Sequence, residues 1–179
     1  NRMSNLIAAF VLALQSTPTT IPPPIACAGS NFSQFDFWIG EWDVYPNGTN
    51  TLIAHSKIEK LYGGCAIREN WMPLKGLGGG SLNSYDPETE RWHQTWVGSA
   101  PGRVEFEGGY TGGNMVLTGM WANVNGPNQD ALIRMIYSPQ TDGSVRQHGE
   151  QSIDHGLTWT TSFDFIYRKR QTLSSKQAQ

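Results

Sequence analysis

The segment that decides the fold covers residues 103–121 and reads RVEFEGGYTGGNMVLTGMW. It contains two runs, Arg103–Tyr110 and Asn114–Trp121, in which β-branched, aromatic and other apolar residues recur between polar ones and glycines. The pair Gly112-Gly113 separates them and supplies the backbone conformations that a tight hairpin turn requires. The segment therefore predicts two antiparallel strands joined by a short turn.

Similar runs fill the chain from Phe35 onward. The other predicted strands are Phe35–Tyr45, Thr51–Lys60, Cys65–Met72, Gly79–Tyr85, Arg91–Val97, Ala131–Tyr137, Ser144–Gln151 and Thr158–Arg168. Turn residues separate them, and no segment after Phe35 carries a helical period longer than about two turns. Such a meander favours an all-β, antiparallel up-and-down barrel of about 8–10 strands, because closure removes exposed strand edges. A two-sheet sandwich is the alternative.

Composition limits the possible classes of function. The chain has 179 residues, which is enough for one domain and leaves little room for a second. Its net charge is −2, and its only basic run is Arg168-Lys169-Arg170. A nucleic-acid-binding surface needs a clear excess of positive charge, so no nucleic-acid partner is expected. The histidines His55, His93, His148 and His155 have none of the close spacings of a metal motif, so no metal or other cofactor is expected.

The two ends of the sequence are expected to lie outside the barrel, which is placed at residues 31–170. Residues 1–30 form a signal-like or anchoring segment, in which apolar Leu6–Leu14 precedes the small-residue site Ala26-Cys27-Ala28. This order predicts a secreted or periplasmic protein without a membrane span, and removal of about 28 residues. The alternative is an apolar helix docked on the barrel or on a neighbouring chain. Residues 171–179 form a polar tail.

The two cysteines, Cys27 and Cys65, do not form a Cys-x-x-Cys pair. In an exported protein they could form one disulfide, and two unpaired thiols are the alternative. Cleavage after Ala28 would remove Cys27 from the mature protein. A Cys27–Cys65 disulfide and that cleavage site therefore exclude each other.

A resemblance to known proteins begins at Phe35–Val44, which reads FDFWIGEWDV. It continues through Gly64-Cys65, Glu69, Trp71, Tyr85-Asp86, Trp92, Gln94, Trp96-Val97, Asp142–Gln147, Glu150, Ser152, Thr158-Trp159 and Phe163-Asp164. In order and spacing, these segments resemble the DUF1579 family of bacterial proteins from Phe35 to about Arg168. The resemblance implies a lipocalin-like, calycin-type barrel that is often exported, and it implies no particular activity.

Three short motifs bear on this resemblance. In lipocalin-like barrels a Gly-x-Trp sequence near this point closes the bottom of the barrel, and Gly40-Glu41-Trp42 fits that role. The chain departs from the family pattern at Val97-Gly98, where Val-Asp is usual, and at Asp154-His155-Gly156, where Asp-Gly-Gly is usual. These departures affect the chemistry of the loops more than the fold.

Side-chain alternation along the strands selects a candidate pocket. Gln94 and Trp96 share one strand face, and Trp159 shares a face with Phe163 and Phe165. Aromatic walls with a few convergent polar groups are typical of a small-molecule pocket. The predicted ligand-binding residues are Trp71, Gln94, Trp96, Arg134, Gln147 and Trp159. The alternative is a filled core in which these side chains satisfy one another.

Charged residues of the predicted strands supply the candidates for chemistry. Arg134 lies on the same strand face as Leu132 and Ile136, so it is expected to point into the barrel. A buried guanidinium needs a partner, and the candidates are Glu69, Glu150 or an anionic group of a ligand. Either acid could also act as a general base if burial raised its pKa. Glu69 and Glu150 are therefore the candidate catalytic residues.

Three hypotheses for the function follow. The first is the binding of a small, partly apolar molecule, with an anionic group as an option, in an aromatic-lined lumen. The second is an enzyme, an isomerase, cyclase or hydrolase, that uses a carboxylate in the lumen. The third is a structural or assembly subunit that packs through its N-terminal segment, and whether the protein is a homo-oligomer is left open.

Overall fold

A computed structural model of the chain describes residues 27–171. It contains ten strands, which are Gly40–Pro46 (β1), Ala54–Leu61 (β2), Ala66–Pro73 (β3), Gly79–Asp86 (β4), Arg91–Val97 (β5), Val104–Thr111 (β6), Asn114–Trp121 (β7), Ala131–Pro139 (β8), Val145–Ser152 (β9) and Thr160–Lys169 (β10). Each strand pairs antiparallel with the next, and β10 returns to pair with β1, so the sheet closes into a barrel. The predicted all-β, up-and-down, lipocalin-like barrel is confirmed, and the sandwich alternative is wrong.

The first strand starts later than the sequence pattern predicts. It begins at Gly40 rather than Phe35, because Asp36–Trp38 forms a one-turn 3-10 helix. The amides of Trp38 and Ile39 donate to the carbonyls of Phe35 and Asp36 at 3.2 and 3.1 Å. This turn places both Phe35 and Trp38 fully inside the protein, which an extended strand with alternating faces would not achieve.

The end of the barrel at which β1 begins is closed by aromatic side chains. Phe35 and Trp38 stack with their ring centroids 4.9 Å apart, and Trp42 donates from its indole nitrogen to the Trp38 carbonyl at 2.9 Å. The Lys169 ammonium covers the Trp42 ring at 3.9 Å and donates to the Ile39 carbonyl at 2.9 Å. Trp42 is fully buried at this end, which agrees with the expectation that it helps to close the bottom of the barrel.

A disulfide joins Cys27 to Cys65. It fastens the segment that precedes the barrel to the connection between β2 and β3, where the Cys27 amide also donates to the Gly63 carbonyl at 3.2 Å. This disulfide and the predicted cleavage after Ala28 exclude each other, because that cleavage would remove Cys27.

The predicted signal-like segment and polar tail fall almost wholly on residues 1–26 and 172–179, outside the described residues. Both therefore stay predictions, as does an assembly role for the N-terminal segment. Between residues 27 and 171 the structure contains no helix that is long and apolar enough to cross a membrane.

Candidate functional site

A cavity of about 330 Å³ occupies the half of the barrel away from the closed end. Its wall, here called the aromatic wall, consists of the rings of Trp71, Trp96, Phe106, Trp121, Phe163 and Phe165. A second cavity of about 380 Å³ shares Trp71, Trp96 and Trp121 with the first and extends along the β3–β4 and β5–β6 connections. The lumen is therefore not a filled core, and the cavities extend as far as these connecting loops.

Strand geometry packs the rings of the aromatic wall against one another. Phe165 stacks on Trp71 and on Phe163, with ring centroids 5.9 and 5.2 Å apart. Phe163 lies opposite Gly149 in the neighbouring strand β9, and a side chain at Gly149 would clash with the Phe163 ring. The glycine thus allows Phe163 to lie flat on the inner surface. The wall offers a ligand continuous apolar and aromatic surface.

A group of polar side chains forms the floor of the cavity, between the aromatic wall and the closed end. This polar floor consists of Glu69, Gln94, Tyr137, Gln147 and Tyr167. The Tyr167 hydroxyl donates to Gln147 Oε1 at 2.8 Å, and Gln147 Nε2 donates to the Tyr137 hydroxyl at 3.0 Å. Gln94 Nε2 donates to the same hydroxyl at 3.4 Å. These bonds join strands β5, β8, β9 and β10 across the lumen.

Glu69 is the one charged residue among the buried polar side chains of the described structure, with 6% of its surface exposed. The hydroxyls of Ser81 and Ser56 donate to its two carboxylate oxygens at 3.0 and 3.5 Å. Among residues 27–171 no Lys, Arg or His side chain forms an ion pair with it.

Burial raises the pKa of Glu69 to about 7, and the two serine hydrogen bonds only partly oppose this increase. Burial also raises the pKa values of Tyr137 and Tyr167, and the nearby Glu69 carboxylate adds to both increases. Both phenols are therefore neutral in the physiological pH range. Glu69 is then the single group of the polar floor that can gain or lose a proton near neutral pH.

The expectation that Arg134 points into the barrel is wrong. In β8 the buried, inward residues include Ile133, Met135 and Tyr137, so Arg134 lies on the outer face. There it donates from Nε and Nη2 to Glu150 Oε2, at 2.8 and 2.6 Å. Glu150 is its direct cross-strand neighbour in β9, so both residues lie outside the cavity.

The outer position of Arg134 has a physical reason. The β9–β10 connection folds over the outside of β8, where the Trp159 ring lies 4.0 Å from the Arg134 guanidinium and Gly156 lies beside Leu132. Leu132, beside this loop, and Ile136 are both half-buried on the outer face, so their apolar character does not mark the inner face. In a barrel, an outer face covered by a loop has the same sequence pattern as a core face.

Trp159 also lies outside the cavity, although it alternates with Phe163 in the sequence. A β-bulge between Thr161 and Phe163 shifts the register of β10 against β9. Because side chains alternate with a period of two, the inserted residue moves everything before it to the opposite face. Phe163, Phe165 and Tyr167 point inward, whereas Thr161 pairs with the outward Glu150.

The structure brings five of the predicted site residues together at one cavity. Glu69, Trp71, Gln94, Trp96 and Gln147 line it, whereas Arg134, Glu150 and Trp159 do not. Residues that the sequence analysis did not select also line it: Phe106, Trp121, Val124, Ile133, Met135, Tyr137, Ser162, Phe163, Phe165 and Tyr167. The alternation in β10 already indicated that Phe163, Phe165 and Tyr167 share one face, and that signal could have identified them.

Within residues 27–171 no group of three or more His, Cys, Asp or Glu side chains is placed to hold a metal ion. Comparison of the chain with models of protein families and with curated proteins gives no match. The chemistry of the cavity must therefore carry the functional assignment.

Proposed function

We propose that the protein binds a small, largely apolar molecule in the barrel lumen. The observation that carries the proposal is the cavity of about 330 Å³, in which an aromatic wall stands over a polar floor. Ligand pockets of about 300–1,000 Å³ are typically apolar, with a few polar groups that orient the ligand. The volume lies at the lower end of this range, so the ligand is small.

An anionic group on the ligand is not part of this proposal. Among the described residues, no Lys or Arg lines the first cavity, and the guanidinium of Arg134 is paired with Glu150 outside the barrel. The charged group that does line it is the Glu69 carboxyl, which would repel an anion. The polar end of the ligand is therefore neutral or positively charged.

Membership of the DUF1579 family and export from the cytoplasm belong to the same proposal. The barrel of ten strands, whose Trp42 helps to close its bottom, supports the family. The Cys27–Cys65 disulfide supports export, because disulfides form and persist in oxidising compartments. A carrier that works outside the cytoplasm would meet its ligand directly in the surrounding medium.

A variant in which a large side chain fills the lumen tests the binding function. Val124 in the β7–β8 connection lines the cavity, and Val124→Trp would insert an indole into it. Asn125→Trp is the matched control, because Asn125 is the next residue of the same loop and its side chain is exposed. Calorimetric titration with phenylbutanol, a neutral amphiphile, should show at least about tenfold weaker binding for Val124→Trp. The control should bind like the wild type.

Two results would contradict the proposal. One is equal binding by the wild type and the Val124→Trp variant, since the probe would then lie outside the lumen. The other is the absence of any binding to the wild type by a panel of neutral aromatic and aliphatic alcohols that fit the cavity.

A second candidate function is a proton-transfer enzyme, and the pKa of about 7 at Glu69 favours it. A carboxyl group with such a pKa both accepts and donates a proton at neutral pH, as an isomerase requires. The test is hydrogen–deuterium exchange next to the carbonyl of phenylacetone in D₂O, followed by NMR. Exchange that the wild type accelerates and Glu69→Gln does not would support this candidate, and equal rates would remove it.

A further inference from the structure

The hydrogen bonds around Glu69 have a fixed direction. The main-chain carbonyl of Ile67 can only accept, so the atom of Asn83 that lies 3.0 Å from it must be Nδ2. The same nitrogen donates to Ser81 Oγ at 3.0 Å, which leaves the single hydroxyl hydrogen of Ser81 for Glu69. When Glu69 is ionised, both of its carboxylate oxygens are therefore acceptors, one from Ser81 and one from Ser56.

The same chain of hydrogen bonds orients Gln94. Because Asn83 donates with Nδ2, its Oδ1 faces Gln94, and the Gln94 atom 2.7 Å away must be the nitrogen. The two hydrogens of that nitrogen go to Asn83 and to the Tyr137 hydroxyl. Both side-chain hydrogen bonds of Gln94 with the described residues start from Nε2, so its Oε1 accepts none of them, and the residue lines the cavity. It offers a ligand a second free acceptor.

The remaining donors of the polar floor are already engaged. The amide nitrogen of Gln147 donates to the Tyr137 hydroxyl at 3.0 Å and to the Met135 sulfur at 3.4 Å. The Tyr137 hydroxyl donates to the same sulfur at 3.5 Å, and the Tyr167 hydroxyl donates to Gln147. With Glu69 ionised, the floor therefore offers an incoming ligand hydrogen-bond acceptors, and it offers no donor that is not already bonded.

The electrostatics of the lumen point in the same direction. A buried carboxylate without a cationic partner is costly, so a positive charge brought to Glu69 would be stabilised. The groups that face it are the hydroxyls of Ser56 and Ser81 and, across the lumen, the neutral phenols of Tyr137 and Tyr167. None of them carries a charge that would compete, and aromatic ring faces attract cations in addition.

We infer that the polar floor binds the ammonium group of an organic amine, whose N–H groups donate to the Glu69 carboxylate and to Gln94 Oε1. The apolar body of the amine lies against the aromatic wall. The ligand class is a primary or secondary amine with an aromatic or aliphatic body small enough for the lumen. This inference rests on the proposed binding function and names the chemical class of the ligand.

Three probes with the same body and different head groups test the inference. Phenylbutylamine, phenylbutanol and phenylbutanoate are titrated into the full chain by calorimetry at neutral pH. The amine should bind at least about tenfold more tightly than the alcohol, because a charge-assisted hydrogen bond replaces a neutral one. The carboxylate should bind most weakly.

Two variants test whether the Glu69 carboxylate is the group that binds the ammonium of the probe. Glu69→Gln keeps the size of the side chain and should bring the ratio of the amine and alcohol dissociation constants to about 1. Arg134→Leu, on the outside of the barrel, should leave that ratio at its wild-type value. In addition, amine binding to the wild type should release protons, seen as a buffer-dependent binding enthalpy, because a neighbouring ammonium lowers the pKa of the Glu69 carboxyl.

The outcomes separate this inference from the function on which it rests. Binding of the alcohol as tight as that of the amine overturns the inference and leaves the binding function in place. A preference for the amine that persists in Glu69→Gln also overturns the inference, because another group would then bind the ammonium. Failure of all three probes to bind in the lumen counts against both.

Discussion

Burial of a single carboxyl group, that of Glu69, makes the stability of the barrel depend on pH. Its pKa rises from an ordinary value of 4.5 to about 7 in the folded protein. Between these two values the unfolded chain has released the proton while the folded chain still holds it, so stability falls as pH rises. A difference of this size corresponds to about 3 kcal/mol, fully lost above about pH 7.

The first prediction follows from this difference. In urea unfolding of the wild type, Glu69 should make the free energy of unfolding about 3 kcal/mol higher at pH 4.5 than at pH 8. This figure is the contribution of Glu69 alone, without those of the other carboxyl groups. Glu69→Gln should remove this component and be the more stable protein at pH 8. Glu88→Gln, at an exposed position in the β4–β5 turn, is the control and should keep the wild-type dependence. A Glu69→Gln variant with the wild-type slope would show that another group titrates.

Trp42 carries a second prediction at the residue scale. The side chain is fully buried, its indole nitrogen donates to the Trp38 carbonyl, and its ring lies under the Lys169 ammonium. Trp42→Ala should lower the free energy of unfolding by about 3–5 kcal/mol, because truncation leaves a cavity as well as lost burial. Trp159→Ala, outside the barrel, should cost less in the same urea titration. A near-neutral Trp42→Ala would show that this ring does not hold the bottom of the barrel together.

At the scale of single elements, the pair between β8 and β9 yields a third prediction. Arg134 and Glu150 pair on the partly exposed outer face, where ion pairs contribute about 0–1 kcal/mol. Arg134→Leu should therefore change the free energy of unfolding by no more than about 1 kcal/mol and leave phenylbutanol binding intact. Loss of several kcal/mol, or loss of binding, would place this guanidinium in the interior after all.

The elements also show what the sequence could reveal. Alternation and turn residues predicted every strand, because both are local properties of a meander in which neighbours in sequence pair. Residue-by-residue inward or outward assignment succeeded for Gln94 and Trp96, which lie in the regular strand β5. It failed for Trp159, since one bulged residue reverses the alternation, and for Arg134, since a loop covers the outer face. The sequence carries no signal for the bulge, and an outer face covered by a loop has the same apolar pattern as a core face.

The unpaired state of the Glu69 carboxyl could not be predicted either. It depends on which side chains meet across the lumen, and that is settled by the closure of β10 on β1. From the sequence, the partner of Arg134 could be Glu69, Glu150 or an anionic group of a ligand. In the structure it is Glu150, on the outside of the barrel.

At the scale of the whole molecule, the disulfide provides a fourth prediction. It closes a loop between residues separated by 38 positions, and in the chain-entropy description such a loop contributes about 3–4 kcal/mol. The double variant Cys27→Ser with Cys65→Ser should lose about this amount in urea unfolding. Its circular dichroism spectrum should remain that of a β-barrel, since the strands do not depend on the disulfide. An unchanged unfolding midpoint would contradict the prediction.

A fifth prediction concerns the N-terminus of the product, on the proposal that the protein is exported. When residues 1–179 are expressed in a secreting host, intact mass of any exported product should show that it retains Cys27, in contrast to cleavage after Ala28. The disulfide to Cys65 is the reason, because a product that begins later could not form it. A mass that corresponds to a chain beginning at Gly29, with a free thiol at Cys65, would contradict this disulfide.

The pairing of β1 with β10 determines when the protein can fold during its synthesis. Every other pairing joins strands that follow one another, but this one sets Trp42 opposite Lys169. A nascent chain that lacks β10 can build a curled sheet, yet its first and last strands remain open edges that invite association with other chains. The barrel therefore closes only after the chain as far as Lys169 has left the ribosome. A chain truncated before β10 should aggregate rather than fold into a smaller barrel.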